Sequence, residues 1–140
     1  MKLTKKEIAR RQIDTAIELF FGAKDFVSIT TLAGASEEIL GALLRRAGKG
    51  NTFDHLVDFA RREGGPVWDA SKVGAVINKA RNNFKHANDS NEDEMEFSFD
   101  EAIAMLMRAI ANYTVLYRDP TPLMLRFGEK VVSCFPELYN

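Results

Sequence analysis

Apolar residues recur at intervals of three and four along nearly the whole chain, which is the spacing of one face of an α-helix. The first such segment covers about residues 4–22, and the second covers about residues 27–47; each stops at a glycine. A shorter helix is predicted at about residues 53–63, before the Gly-Gly-Pro sequence interrupts the pattern. No segment shows a convincing alternation of period two, so the pattern favours helices throughout.

A fourth helix is predicted from Asp69 or Ser71, both favourable N-cap residues, to about Ala87. Its apolar residues keep a helical spacing over about four turns, and this predicts one continuous buried stripe. The stripe consists of Val73, Val76, Ile77, Ala80, Phe84 and Ala87.

The rest of the chain predicts an acidic loop followed by two more helices. The loop covers about residues 88–97, where acidic side chains cluster without an apolar rhythm. Ser98 and Glu101 form a capping-box sequence at the start of the next helix, and the last helix covers about residues 122–134. We therefore expect one domain over residues 1–140, an all-α, up-and-down bundle of about five to six helices.

Two glycines interrupt the second predicted helix on the side opposite its apolar face. Gly34 and Gly41 lie two turns apart, and a glycine inside a helix costs roughly 1 kcal/mol relative to alanine. The expected compensation is a neighbouring backbone that packs close to this helix, as at a helix crossing.

The overall charge does not identify a partner, because 19 basic and 20 acidic residues nearly cancel. Any contact with nucleic acid would therefore need a local basic patch. The single cysteine, Cys134, excludes an internal disulfide and lies in an apolar run, which favours a core position. The basic N-terminus lacks the apolar run of a signal peptide, and no stretch approaches a membrane span. We expect a cytoplasmic protein with no membrane partner.

Familiar catalytic motifs are missing from the sequence. It contains no phosphate-binding loop, no HExxH, no GxSxG and no CxxC, so we predict neither a cofactor nor a metal. His55 has Asp58 one helical turn away, but no nucleophile or further ligand is near in sequence. It is interpreted as a surface or capping histidine.

The stretch RNNFKHAN, residues 81–88, concentrates polar groups at the end of the fourth predicted helix. One interpretation is structural. Lys85 and His86 would complement the carbonyl end of the helix dipole, and Asn88 would end the helix. Arg81 would then pair with an acidic residue such as Glu37 or Glu38.

The other interpretation starts from a resemblance. Arg81 and Asn82, followed after three residues by His86, resemble the motif of the HEPN superfamily (higher eukaryotes and prokaryotes nucleotide-binding domains). The resemblance implies metal-independent RNA cleavage, with His86 as general acid or base and Arg81 holding the scissile phosphate. Asn82 would orient His86 or the substrate, and Lys85 would add phosphate affinity.

The resemblance also implies a homodimer. On one helix Arg81 and His86 would lie about 140° apart and could not face each other. A second copy of the chain would bring the two groups together. The alternative is a non-catalytic helical module that binds a protein or nucleotide partner, with RNNFKHAN only ending a helix.

Basic residues elsewhere in the chain could add to an RNA-binding surface if they converge with Arg81 and Lys85. The alternative is that they belong to ordinary solvated helix faces. These residues are Lys2, Lys5, Lys6, Arg10, Arg11, Arg45, Arg46 and Lys49.

Overall fold

The computed structural model describes residues 1–135, and these contain seven α-helices, one short 3-10 turn and no strand. The prediction of an all-α fold is confirmed, although the helix count is higher than the five to six expected. The helices are α1 (Lys5–Phe21), α2 (Phe26–Arg46), α3 (Thr52–Gly64), α4 (Ala70–Ile77), α5 (Lys79–Asn83), α6 (Phe99–Tyr117) and α7 (Pro122–Cys134), and the 3-10 turn is Ser90–Glu92.

The core lies between α1, α2 and α6. Helix α2 packs along both α1 and α6, and α7 covers the outer side of α1. Helices α1, α2 and α6 bury most of the apolar face that their sequence spacing predicts, which removes it from water. Fully buried residues of this core include Ile13, Ile17, Ile29, Leu40, Leu106, Tyr113 and Phe127.

Capping residues fix where the long helices begin. At α1, Thr4 Oγ1 accepts a hydrogen bond from Glu7 N at 3.1 Å, and Glu7 Oε2 accepts one from Thr4 N at 2.7 Å. At α6, Ser98 N donates to Glu101 Oε2 at 3.0 Å, as the capping-box sequence predicts. These bonds satisfy backbone groups that a helix start leaves free. The predicted limits of the first, second and last helices agree with the structure to within one residue.

The expectation that no stretch approaches a membrane span is wrong for helix α2. By length and composition alone, Phe26–Arg46 is long and apolar enough to cross a bilayer. Half of the apolar window is buried inside the fold, and a core helix meets the same criterion. The middle of α2 also carries Glu37, which is paired with two arginines.

The prediction of one helix from about residue 69 to 87 is wrong. The segment breaks at Asn78 into α4 and α5, and the helical path ends at Asn83. Arg108 of α6 lies at this break, where its Nη1 donates to Asn78 Oδ1 at 3.0 Å and to the Ile77 carbonyl at 3.4 Å. The predicted stripe is therefore incomplete, and Val76 is 62% exposed.

Two smaller expectations also need correction. The space beside Gly34 holds the side chain of Arg81, and the space beside Gly41 holds the amide of Asn51, so neither glycine faces a neighbouring backbone. Cys134 is exposed at the end of α7 and does not belong to the core. His55 is exposed on α3, which confirms its interpretation as a surface residue.

Candidate functional site

A buried carboxylate lies between two arginines at the centre of the candidate site. Glu37 Oε2 accepts from Arg81 Nη1 at 3.0 Å, and Glu37 Oε1 accepts from Arg108 Nη2 at 2.9 Å. The side chains of Glu37, Arg81 and Arg108 are 5%, 12% and 10% exposed. The structure thus confirms that Arg81 pairs with one of the two predicted glutamates. The three residues tie α2, α5 and α6 together.

This cluster carries one more positive charge than negative charge. Burial lowers the pKa of Arg108 below its ordinary value, while the Glu37 carboxylate opposes that shift. Arginine keeps its proton in proteins, so Arg108 stays charged despite this shift. Within the described residues, Arg108 Nε has no hydrogen-bond partner. A buried charge without full compensation favours an anion nearby.

Asparagine side chains hold the start of α3 against this cluster. Asn112 Oδ1 accepts from Thr52 N at 3.0 Å, and its Nδ2 lies 3.5 Å from the Glu37 carbonyl oxygen. Asn51 caps α3 by accepting from Asp54 N at 2.9 Å and donates to the Gly41 carbonyl at 3.1 Å. These bonds fix the position of the α3 N-terminus relative to α2 and α6.

A cleft of about 310 Å³ opens beside the buried cluster. Its walls combine cationic groups, amides, one aromatic ring and the two carboxylates of Glu37 and Glu38, and they come from α2, α3, α5 and α6 and from the break at Asn78. The residues that give it this character are Arg45, Arg81, Arg108, Asn51, Asn78 and Phe53.

Two further depressions adjoin the cleft, and all three share Glu38. One is lined by Arg81 and Lys85, and the other by Lys5 and Arg46. We call the surface formed by Lys5, Arg45, Arg46, Arg81 and Lys85 the basic face. Its opposing charges include Glu38, which lies 3.6 Å from Lys85 Nζ, and Asp54, which lies 3.0 Å from Arg45 Nη2.

The basic face contains only part of the predicted set. Lys5, Arg45 and Arg46 do converge with Arg81 and Lys85, whereas the other candidates do not line these depressions. Two of the others make ion pairs elsewhere: Lys6 with Asp119 at 2.8 Å, and Arg10 with Asp14 at 3.7 Å.

His86 and Asn82 stand apart from this arrangement. Both are exposed, and His86 lies beyond the end of α5, outside any helix. The Nε of Arg81 lies 3.5 Å from Asn82 Oδ1, which is a long contact. The imidazole of His86 makes no hydrogen bond with the described residues, and it does not line the cleft or the two depressions. One copy of the chain therefore brings Arg81 and Lys85 together without His86.

Arg108 is the main site residue that sequence reasoning missed. A signal for it exists, because Arg108 and Asn112 are the two polar residues between Ala102 and Tyr113 of α6, and they are one turn apart. A polar pair within an otherwise apolar stretch predicts partners in the interior.

Residues 1–135 contain no group of three or more His, Cys, Asp or Glu side chains arranged to hold a metal ion. Comparison of the chain with known protein families, with curated proteins and with solved structures finds no match.

Proposed function

We propose that this chain is an RNA-binding helical domain whose basic face contacts the phosphates of single-stranded RNA. The observation that carries the proposal is the convergence of Lys5, Arg46, Arg81 and Lys85 on depressions that meet at Glu38. The chain as a whole has a net charge of −1, so this concentration of basic groups is not a consequence of composition. Arg81 belongs both to this surface and to the Glu37 cluster, in which Arg108 adds a second positive charge beside the surface.

Several separate cations on one surface suit a polyanion better than a single small anion. Each lysine or arginine that neutralises a phosphate releases a counterion, so affinity falls as salt rises. For a single strand the logarithmic slope is about −0.7 per neutralised phosphate. Two to four contacts from the basic face predict a slope of roughly −1.4 to −2.8.

Fluorescence anisotropy with a labelled single-stranded RNA tests this proposal. Lys5→Glu combined with Arg46→Glu should weaken binding at least tenfold, because two phosphate contacts become repulsive. Lys24→Glu combined with Lys130→Glu changes the net charge by the same amount at exposed positions outside the basic face. Equal losses for both pairs would show that only overall charge matters and would contradict the proposal.

A second candidate is the HEPN-like, metal-independent endoribonuclease with Arg81 and His86 as its catalytic pair. The supporting observation is that His86 is exposed and is the next residue in sequence after Lys85. Lys85 lines one depression together with Arg81. Arg81 would stabilise the phosphate while His86 moves a proton. Asn82 would orient the histidine of a neighbouring copy.

Cleavage of labelled RNA in the presence of a chelator tests the ribonuclease. His86→Ala should abolish cleavage and leave RNA affinity unchanged, since His86 does not line the basic face. Cleavage that persists in this variant would come from a contaminating protein. If the parent protein binds RNA without cleaving it, the ribonuclease proposal is wrong and only the binding proposal stands.

We propose a homodimer as the assembly in which His86 reaches Arg81. Supporting it, α3, α4 and the loop between them expose large apolar side chains, with Phe59 54%, Val67 56% and Val76 62% exposed. Burial of such side chains against a second copy would stabilise association. Sedimentation should show a dimer that Phe59→Glu dissociates, whereas Leu125→Glu on α7, which changes a residue 56% exposed, should leave it intact.

The non-catalytic alternative uses the cleft alone. A mononucleotide would place its phosphate at Arg45, Arg81 and Arg108, and AMP at millimolar concentration would then displace RNA. A protein partner would instead bind without competing with RNA. For the RNA-binding, ribonuclease and non-catalytic functions alike, we propose that the domain acts in the cytoplasm.

A further inference from the structure

We propose that the cleft holds one unpaired nucleobase of the bound RNA, stacked against Phe53. The inference rests on the proposed RNA binding and adds to it a subsite that recognises a base. The basic face, by contrast, contacts only phosphates.

Phe53 supplies an aromatic wall at a fixed position. It lies in the first turn of α3, is partly buried and lines the cleft together with the cationic groups. A Cβ built on Gly74 would lie 3.5 Å from Phe53 Cε2, so one edge of the ring rests against α4. The guanidinium of Arg45 lies 5.7 Å from the ring centroid. Aromatic rings and arginine planes are the groups on which proteins stack unpaired bases.

Asn78 supplies a hydrogen-bond donor in the same cleft. Its Oδ1 accepts from Arg108 Nη1 at 3.0 Å, which fixes the orientation of the side-chain amide. Its Nδ2 donates to none of the described residues and is not among the buried side-chain atoms that lack a partner, so it is accessible from the cleft. A ring nitrogen or carbonyl oxygen of a base could therefore accept a hydrogen bond from it.

The dimensions and lining of the cleft favour a planar polar group over other ligands. A volume of about 310 Å³ is at the small end of ligand pockets, which span roughly 300–1,000 Å³. An apolar ligand would leave the Nδ2 of Asn78 without water or a partner. A metal cation would meet three arginines, and the two carboxylates of the cleft, Glu37 and Glu38, are already paired with basic side chains. A simple phosphate would make no use of the Phe53 ring.

RNA that lacks a base tests the subsite without changing the protein. The probes are short single-stranded RNAs of one sequence, either intact or with an abasic ribose at each position in turn. Removal of the bound base should weaken binding at least fivefold, because stacking contributes about that much or more per base. Equal affinity for intact and abasic RNA would overturn the subsite while the basic-face proposal stands. If intact RNA does not bind at all, the proposed function itself fails.

The protein variants address the same ring. Phe53→Leu should remove most of the difference between intact and abasic RNA, and Phe53→Tyr should preserve it. Phe99→Leu is a matched control, since Phe99 is 54% exposed at the start of α6 and does not line the cleft. Thermal unfolding of each variant shows whether it is folded. A folded Phe53→Leu that still discriminates abasic RNA would contradict the stacking role.

Discussion

The side chain of Arg81 occupies the space where a Cβ on Gly34 would lie. An ideal Cβ at Gly34 would be 2.4 Å from Arg81 Cδ and 2.5 Å from its Cγ, closer than any such pair can approach. The missing side chain lets the stem of Arg81 cross α2 and reach Glu37, one turn further along the same helix. The absence of a side chain at Gly34 therefore makes room for the ion pair between Arg81 and Glu37.

Gly34→Ala should destabilise the fold although alanine is the better helix former. The propensity gain is about 1 kcal/mol, but the new methyl group forces Arg81 away from Glu37 and breaks their buried, hydrogen-bonded ion pair. Gly128→Ala in α7 is the matched control, because a Cβ there meets nothing within 4 Å. It should gain up to about 1 kcal/mol in urea unfolding. Equal gains at both sites would contradict the described position of Arg81.

Glu37→Gln should lower the free energy of unfolding by about 3–5 kcal/mol, the cost of leaving a buried ion pair without one charge. Both arginines would lose their counter-charge while remaining largely buried. Glu38→Gln, one residue away and 61% exposed, should change stability by less than about 0.5 kcal/mol. Urea titrations measure both values. Similar small effects at the two positions would mean that the Glu37 cluster contributes little to folding.

The long helices could be predicted because local signals agree with packing. In α1 and α6 the capping residues, the apolar spacing and the residues that end the helix all favour the same limits. The apolar face defined in this way is the face that the core buries. The α4–α5 break had no such signal. Val73, Val76, Ile77 and Ala80 keep a helical spacing, and no glycine or proline marks Asn78. A contact with Arg108, thirty residues later, lies at the break, and no local pattern in the sequence indicates it.

The candidate site could be predicted only in part for the same reason. The motif identifies Arg81, and its charge predicts the pairing with an acidic residue. Phe53, Asn78 and Arg108 belong to three separate segments, and only the packing of α3 against α4 and α6 brings them to one cleft. His86 was placed on a helix because the apolar spacing continues to Ala87, yet the helix ends at Asn83.

Acid should weaken the attachment of α3 through Asp54. Its hydrogen bond with Arg45, at 3.0 Å, lowers the pKa of the Asp54 carboxyl below its ordinary value. A carboxyl whose pKa is lower in the folded state than in the unfolded state stabilises the fold at pH values above its unfolded pKa. This stabilisation is lost as the pH falls through the folded-state pKa. The loss therefore begins below about pH 4. Melting temperatures should fall more steeply there for the parent than for Asp54→Asn. Parallel pH profiles would contradict this role.

Neutralising the acidic loop should strengthen RNA binding. Asp93 and Glu94 are exposed in this loop, and Asn83 Nδ2 donates to the Glu92 carbonyl at 3.1 Å, so the loop is held near the end of α5. Asp93→Asn with Glu94→Gln removes repulsion of phosphates approaching Lys85, and we expect affinity to rise two- to threefold, roughly 0.5 kcal/mol. The gain should disappear at high salt. Unchanged affinity at low salt would show that the loop does not face the bound strand.

The most direct test of the RNA-binding surface is an NMR titration of the ¹⁵N-labelled protein with a short single-stranded RNA. The basic face predicts saturable amide shifts concentrated in residues 38–46 and 79–85 and around Lys5. Residues 124–134 of α7, on the outer side of α1, should stay unchanged. Shifts centred on α7, or no shifts at millimolar RNA and low salt, would contradict the claim that this surface binds RNA.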